Sequence, residues 1–218
     1  MADRPNPQVI SLNAVRWNKA YRRLFAGLQT FCEDRLDEEP WAEDLFFGFQ
    51  PDDEEAEAFH AAFVDWVAFD YRDWDGVTML EHFRVENGPW DLTEERMLEA
   101  WQGARLGLYR VLEQLEHVVR LQSCLTGDEF HVQREEEIMS FDAGDLAVCR
   151  LLPVGDGFRF GFDVRTCPAD AEPVIMRALE RELARQRRQM PGAGWDDMFA
   201  ERWPLVHDAI SEAIITRS

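Results

Sequence analysis

The stretch that decides the fold is Gly155-Asp156-Gly157-Phe158-Arg159-Phe160-Gly161-Phe162-Asp163-Val164-Arg165. Its Gly-Asp-Gly opening is a hairpin signal, and the residues after it alternate between apolar and polar. Phe158, Phe160, Phe162 and Val164 fall on one face of a strand, and Arg159, Gly161, Asp163 and Arg165 fall on the other. The phenylalanine face reads as core. Working upstream, similar strand signals recur in Asp145–Leu152, after the turn Asp142-Ala143-Gly144, and in Glu129–Arg134, after Leu125-Thr126-Gly127-Asp128. Val118–Ser123 alternates too, and Leu108–Leu115 is rich in branched and aromatic residues. Five short strands at roughly ten-residue spacing predict a small antiparallel barrel or sandwich.

On both sides of this region the period becomes helical. Ser11 caps a predicted helix to about Arg35, whose apolar residues Val15, Tyr21, Leu24, Phe25, Leu28, Phe31 and Cys32 recur at three- and four-residue steps. A short apolar segment, Trp41–Phe49, predicts a turn or two of helix. Pro51-Asp52-Asp53-Glu54-Glu55 opens a helix expected to reach about Trp74. Its apolar residues surround most of its circumference, so it is expected at the centre of the domain. Thr78 with Glu81, and Asp91 with Glu94, have capping-box spacing and start two more helices. Beyond Pro168 a long helix carries Pro173 in its first turn, and a last helix is expected from near Pro204. The fold class is therefore α+β: a helical domain over 1–104, then an antiparallel β module with C-terminal helices over 105–218, or one continuous domain.

The composition agrees with a globular chain. Among the 218 residues 46% are hydrophobic, so a large core can be buried without a disulfide or metal. No run approaches the roughly 18 apolar residues of a membrane span. Cys32, Cys124, Cys149 and Cys167 are widely spaced and form no close pair of zinc ligands, and free thiols fit a reducing cytoplasm. The opening Met1–Pro7 has no apolar h-region, so no secretory signal is expected.

Charge is the most pronounced feature. The formal net charge is −20, and residues 33–75 alone contribute −14 of it. Such a surface repels phosphate backbones and anionic membranes and attracts a basic protein partner. This holds if the acidic stretch faces water and is not neutralised by the chain's own guanidinium groups.

Four segments carry a resemblance: Phe63–Arg72, Gly76–Phe83, Leu125–Phe130 and Gly144–Gly155. In these the chain resembles an uncharacterised family of bacterial cytosolic proteins whose members often end in a SEC-C zinc motif. The resemblance covers roughly residues 55–165 and implies no assigned activity. The zinc tail is absent here, since no cysteine follows Cys167.

Several side chains are candidates for chemistry. Asp70 sits among Trp66, Phe69, Tyr71 and Trp74, and a buried carboxylate must be paired or have its pKa raised. Trp66, Asp70 and Arg72 thus form a candidate binding corner, with Arg72 or Arg110 the expected partner of Asp70. Glu57 and His60 have the Glu-x-x-His step of carboxylate-bridged metal sites, without the second helical copy such sites need. Arg177, Arg181, Arg185 and Arg188 form one helical stripe that could meet phosphate, interrupted by Glu180 and Glu182. No nucleophile elbow or phosphate-binding glycine loop occurs, and no cofactor is expected. The leading expectation is a non-enzymatic cytosolic interaction protein with an acidic docking face. The alternatives are a metal-dependent hydrolase using Glu57, His60 and Asp70, and an RNA- or ribosome-associated protein using the arginine stripe.

Overall fold

The computed structural model describes residues 12–36, 40–47, 53–134, 140–195 and 197–199. The helix expected from near Pro204 lies outside them. Three helices come first: α1 over Leu12–Leu36, α2 over Pro40–Phe47 and α3 over Asp53–Phe69. Every residue of α3 from Ala62 to Phe69 is buried, which is what an all-round apolar pattern requires. It packs against α1 on one side and the sheet on the other.

This helix ends at Phe69, five residues before the expected end near Trp74. The amides of Asp70 and Tyr71 both donate to the carbonyl of Trp66, at 2.8 and 2.9 Å, which closes the helical series. Asp73 then offers its Oδ1 to the amides of Asp75 and Val77, each at 2.9 Å. Such a side-chain acceptor supplies the backbone with an alternative to the helix. A bridge between Arg72 and Thr78 completes the loop, with Gly76 at φ +76°.

The next two helices begin as expected. In α4, Met79–Glu86, Thr78 and Glu81 form a reciprocal capping box; in α5, Leu92–Trp101, Asp91 and Glu94 do the same.

Five strands follow: β1 Leu106–Gln114, β2 Val118–Ser123, β3 Glu129–Gln133, β4 Leu146–Val154 and β5 Gly157–Cys167. They pair in the order β1-β2-β3-β5-β4, and β4 pairs back to β1, so the sheet closes on itself. The expectation of a wholly antiparallel module needs correction. Four pairings are antiparallel, but β3 and β5 run parallel, joined at Val132 and Phe158. The sheet is therefore mixed.

The expectation for the aromatic strand is corrected as well. Phe158, Phe160 and Val164 join the core inside the sheet, whereas Phe162 packs on the helical core against Phe25 and Phe69. The cause is a register shift. β5 takes four steps from Phe160 to Val164 while β4 takes two from Leu151 to Cys149. Strand β4 itself alternates cleanly: Ala147, Cys149 and Leu151 point inside the sheet, and Val148, Leu152 and Val154 join the helical core.

The last described helix, α6, spans Glu172–Gln189 with Pro173 in its first turn. It buries Ile175, Leu179 and Leu183 in the same core as α3 and β4.

Candidate functional site

Arg150 is the one charged residue in the strand Leu146–Val154, and it points towards the helices. Its side chain is 0% exposed. A guanidinium in that position must find anions. It finds two: Nε donates to Asp65 at 2.8 Å, and Nη2 donates to Asp70. Nη1 donates to the carbonyl of Ala104 at 3.0 Å and lies 3.5 Å from Asp70 Oδ1. The ring of Phe69 lies 4.7 Å from the guanidinium carbon, a cation–π contact.

The local backbone is arranged around this triad. The register shift in β5 leaves Gly161–Asp163 out of the ladder with β4, and the amide of Phe162 donates instead to Asp65 Oδ1 at 3.1 Å. Asp65 is thereby held from both sides. Gly161 must be glycine here, because a Cβ would come within 2.5 Å of Asp65 Oδ1 and 3.0 Å of Arg150 Cβ.

Asp65 and Asp70 are 2% and 4% exposed, and share one guanidinium. The triad therefore carries one negative charge more than it neutralises. Burial pushes the Asp70 carboxyl above its usual range, against the opposing pull of Arg150, and the nearby Asp65 adds to the rise. Arg150 is held firmly protonated: burial opposes its charge, but the two carboxylates more than offset it. The expected partners of Asp70 are engaged elsewhere. Arg110 pairs with Glu172 at 2.5 Å, and Arg72 donates to the Gly76 carbonyl at 2.7 Å. Sequence reasoning missed Arg150. The available signal was a lone arginine inside an apolar strand.

These findings also correct the charge expectation in part. Of the acids between 33 and 75, Asp65 and Asp70 face inward, and one guanidinium of the same chain partly neutralises them. The arginine that does so is on β4, not on α6. Asp73 is likewise engaged, its Oδ2 2.6 Å from His82 Nε2.

Asp70, whose side chain is buried, is among the residues lining a cleft of about 910 Å³. Trp66, Phe69, Tyr71, Arg72, Arg105 and Trp195 are among its walls. The sequence-predicted trio Trp66, Asp70 and Arg72 is thus brought together at one cleft. Trp66 is 7% exposed, and its indole Nε1, itself closed to solvent, has no hydrogen-bond acceptor among the described residues. Buried donors of this kind are rare in folded proteins.

The other predicted residues lie elsewhere. His60 is exposed, 3.7 Å from Glu33, and lines a separate cavity of about 570 Å³ with Arg159 and Asp163. Glu57 lies in α3, but its side chain is outside the described residues. Among the described residues no group of three or more His, Cys, Asp or Glu is placed to hold a metal ion. Arg177, Arg181, Arg185 and Arg188 are all exposed on α6; Arg177 donates to the Pro173 carbonyl, and Arg185 approaches Glu182 at 3.9 Å. Among the described residues no helix is long and apolar enough to cross a membrane.

A family of unknown function, DUF7986, matches residues 46–187, and the chain belongs to that family. The match spans Asp65, Trp66, Asp70 and Arg150 and ends before Trp195. No curated protein and no solved structure matches the chain.

Proposed function

We propose that this chain, as a member of that family of unknown function, is a non-enzymatic interaction protein that seats a segment of a basic partner protein in the cleft above Asp70. The observation that carries the reading is the cleft itself, a concave site where the aromatic residues Trp66, Tyr71 and Trp195 stand with the acidic residues Glu81 and Asp197. The volume, about 910 Å³, lies within the usual range of ligand sites, roughly 300–1,000 Å³. The net charge of −20 steers basic partners and repels acidic ones. The cytosolic, bacterial setting implied by the sequence resemblance belongs to this reading and not to the family match.

The cleft favours binding over catalysis. Thr78 and Glu81 are committed to a capping box, the Thr126 hydroxyl donates to Asp128, and Asp70 is held by Arg150. An activated nucleophile needs a base beside it, and among the described residues the lining contains no histidine, cysteine or lysine. The hydrolase alternative requires His60 and Asp70 to converge. They lie ten positions apart, His60 on α3 and Asp70 just past its end, about 15 Å along the helix axis, and face different cavities. The arginine stripe of α6 is exposed, and Arg177 and Arg181 line a cavity of about 620 Å³, but Glu180 lines it with them and Glu182 approaches Arg185 at 3.9 Å.

A substitution that fills the cleft tests this. Gly194 lines it, and a Cβ there would make only an ordinary 3.7 Å contact with Asp197 Oδ2. Peptides selected by display on the wild-type protein should therefore be basic, and should bind Gly194→Leu at least about ten-fold more weakly. Equal binding by the two proteins would remove the cleft from the proposal.

A further inference from the structure

We infer that Trp74, at the tip of the loop between α3 and α4, is a second contact for the basic partner: an arginine or lysine side chain of that partner stacks on the indole face beside the carboxylate of Asp75. This rests on the function proposed above for the sign of the partner's charge, and it names the group that recognises that charge.

Three observations lead to it. First, Trp74 is 84% exposed. Tryptophan is highly buried on average, and the other tryptophans with described side chains follow that rule. Trp66 and Trp101 are buried, and Trp17, Trp90 and Trp195 are half-buried. Second, the loop is braced. Arg72 and Thr78 bridge its base, and Arg72 Nη1 donates to the Gly76 carbonyl at 2.7 Å. The amide of Asp73 donates to the Val77 carbonyl at 3.1 Å, and the amide of Gly76 to the Asp73 carbonyl at 3.0 Å. The Asp73 carboxylate takes the amides of Asp75 and Val77 on one oxygen and meets His82 with the other. An indole carried on such a frame costs little further ordering when a partner covers it. Third, its neighbours in sequence are acidic. Asp73 is turned inward, with its side chain 13% exposed, but Asp75 faces water. The face of an indole is the negative part of its ring and attracts guanidinium and ammonium groups, and a carboxylate one residue away adds to that pull.

The loop and the cleft are neighbours. Tyr71, Arg72 and Thr78, at the base of the loop, line the cleft. Two residues of chain span at most about 7 Å, so the backbone of Trp74 lies within that distance of Arg72. A segment seated in the cleft therefore reaches the indole with a few further residues. Arg72 is itself a cation, and its guanidinium is drawn to the Gly76 carbonyl and lies 3.8 Å from Glu81. A lipid surface is the other usual resort of an exposed tryptophan, but Asp75 and the net charge of −20 repel an anionic one. A protein segment is the occupant that the charge favours.

The test uses the basic peptides selected by display on the wild-type protein, with each arginine or lysine replaced in turn by glutamine. Affinities are measured by calorimetry against the wild-type chain, Trp74→Leu and Asp75→Asn. Trp74→Leu keeps an apolar side chain and removes the ring. At so exposed a position it should leave the urea midpoint unchanged, and it should weaken the parent peptide by about two- to five-fold. That loss should vanish for one of the glutamine peptides, the one that lacks the stacked cation. Asp75→Asn should weaken the parent peptide more at low salt than at high salt. Equal binding of the parent peptide to Trp74→Leu and wild type overturns the inference and leaves the cleft standing. A loss that persists for every glutamine peptide makes the contact apolar and overturns it as well. Cosedimentation with vesicles of phosphatidylcholine and phosphatidylserine that Trp74→Leu abolishes assigns the indole to a membrane, and also overturns it. A peptide that couples to Trp74 but binds Gly194→Leu as well as wild type removes the cleft and keeps the loop contact. If no basic peptide is selected, both fail.

Discussion

Replacing Arg150 with methionine should be the most damaging single change in this protein. The substitution keeps the aliphatic stem and removes the guanidinium. Asp65 and Asp70, 2% and 4% exposed, then lose their cation together, and the Ala104 carbonyl loses its donor. Removing one partner of a buried ion pair costs about 3–5 kcal/mol, and here two carboxylates are stranded, so about 5 kcal/mol is expected. Whole domains are stable by only about 5–15 kcal/mol. In urea, with a slope of about 2–3 kcal/mol per molar, the midpoint should fall by roughly 2 M. The loss should also depend on pH. Carboxyls buried without a cation have folded-state pKa values above their unfolded ones. The penalty is therefore small below the unfolded carboxylate range and grows as pH rises through the folded values. Combining Arg150→Met with Asp65→Asn and Asp70→Asn should recover most of the stability, because the three residues act as one unit. A midpoint drop below roughly 0.5 M, or a loss that is independent of pH, would refute the triad as the structural base of the cleft.

Other expectations follow from the same geometry. Gly161→Ala should destabilise by about 1–3 kcal/mol, since the Asp65 oxygen it would meet is pinned by Arg150 and the Phe162 amide; an unchanged urea midpoint would show that Asp65 can move aside. Asp70, raised by burial, contributes stability that is fully present below its unfolded range and is lost as pH climbs through its folded value. Asp70→Asn should flatten that part of the stability–pH curve, and a slope identical to wild type would contradict the raised carboxyl. Burial raises the thiols of Cys32 and Cys149, and those of Cys124 and Cys167 to about 11. Labelling with a thiol reagent at neutral pH should be slow in the folded protein and complete in denaturant; rapid native labelling of Cys149 would place it outside the core.

Much of this fold was legible because it is written in local chemistry. The capping boxes at Thr78 and Asp91 need only a side-chain oxygen and a glutamate three residues later, and both form. Strand β2 was bounded by its alternation at the residues the structure gives, Val118–Ser123. Long-range pairing was not legible. Nothing in the period of β5 says that it inserts between β3 and β4, or that its contact with β3 is parallel. The shift that turns Phe162 out of the sheet is likewise invisible to a strict two-residue alternation. The site shows the same division. Asp70 was recognisable as a carboxylate in aromatic surroundings that needed a partner, and it does sit in a concave site with Trp66. Its partner is eighty residues away on another element, and only the closed sheet brings Arg150 beneath α3. The arginine of β4 and the aspartates in and just past α3 each break a local pattern, and each break explains the other.

The measurement that bears most directly on the cleft is the indole N–H NMR spectrum of the eight tryptophans, with Trp66 assigned through Trp66→Phe. Addition of a basic peptide should shift the Trp66 resonance as the cleft that this residue lines is filled, and should do so more at low salt than at high salt. A Trp66 signal that stays in place while the peptide binds would put the partner elsewhere on the protein.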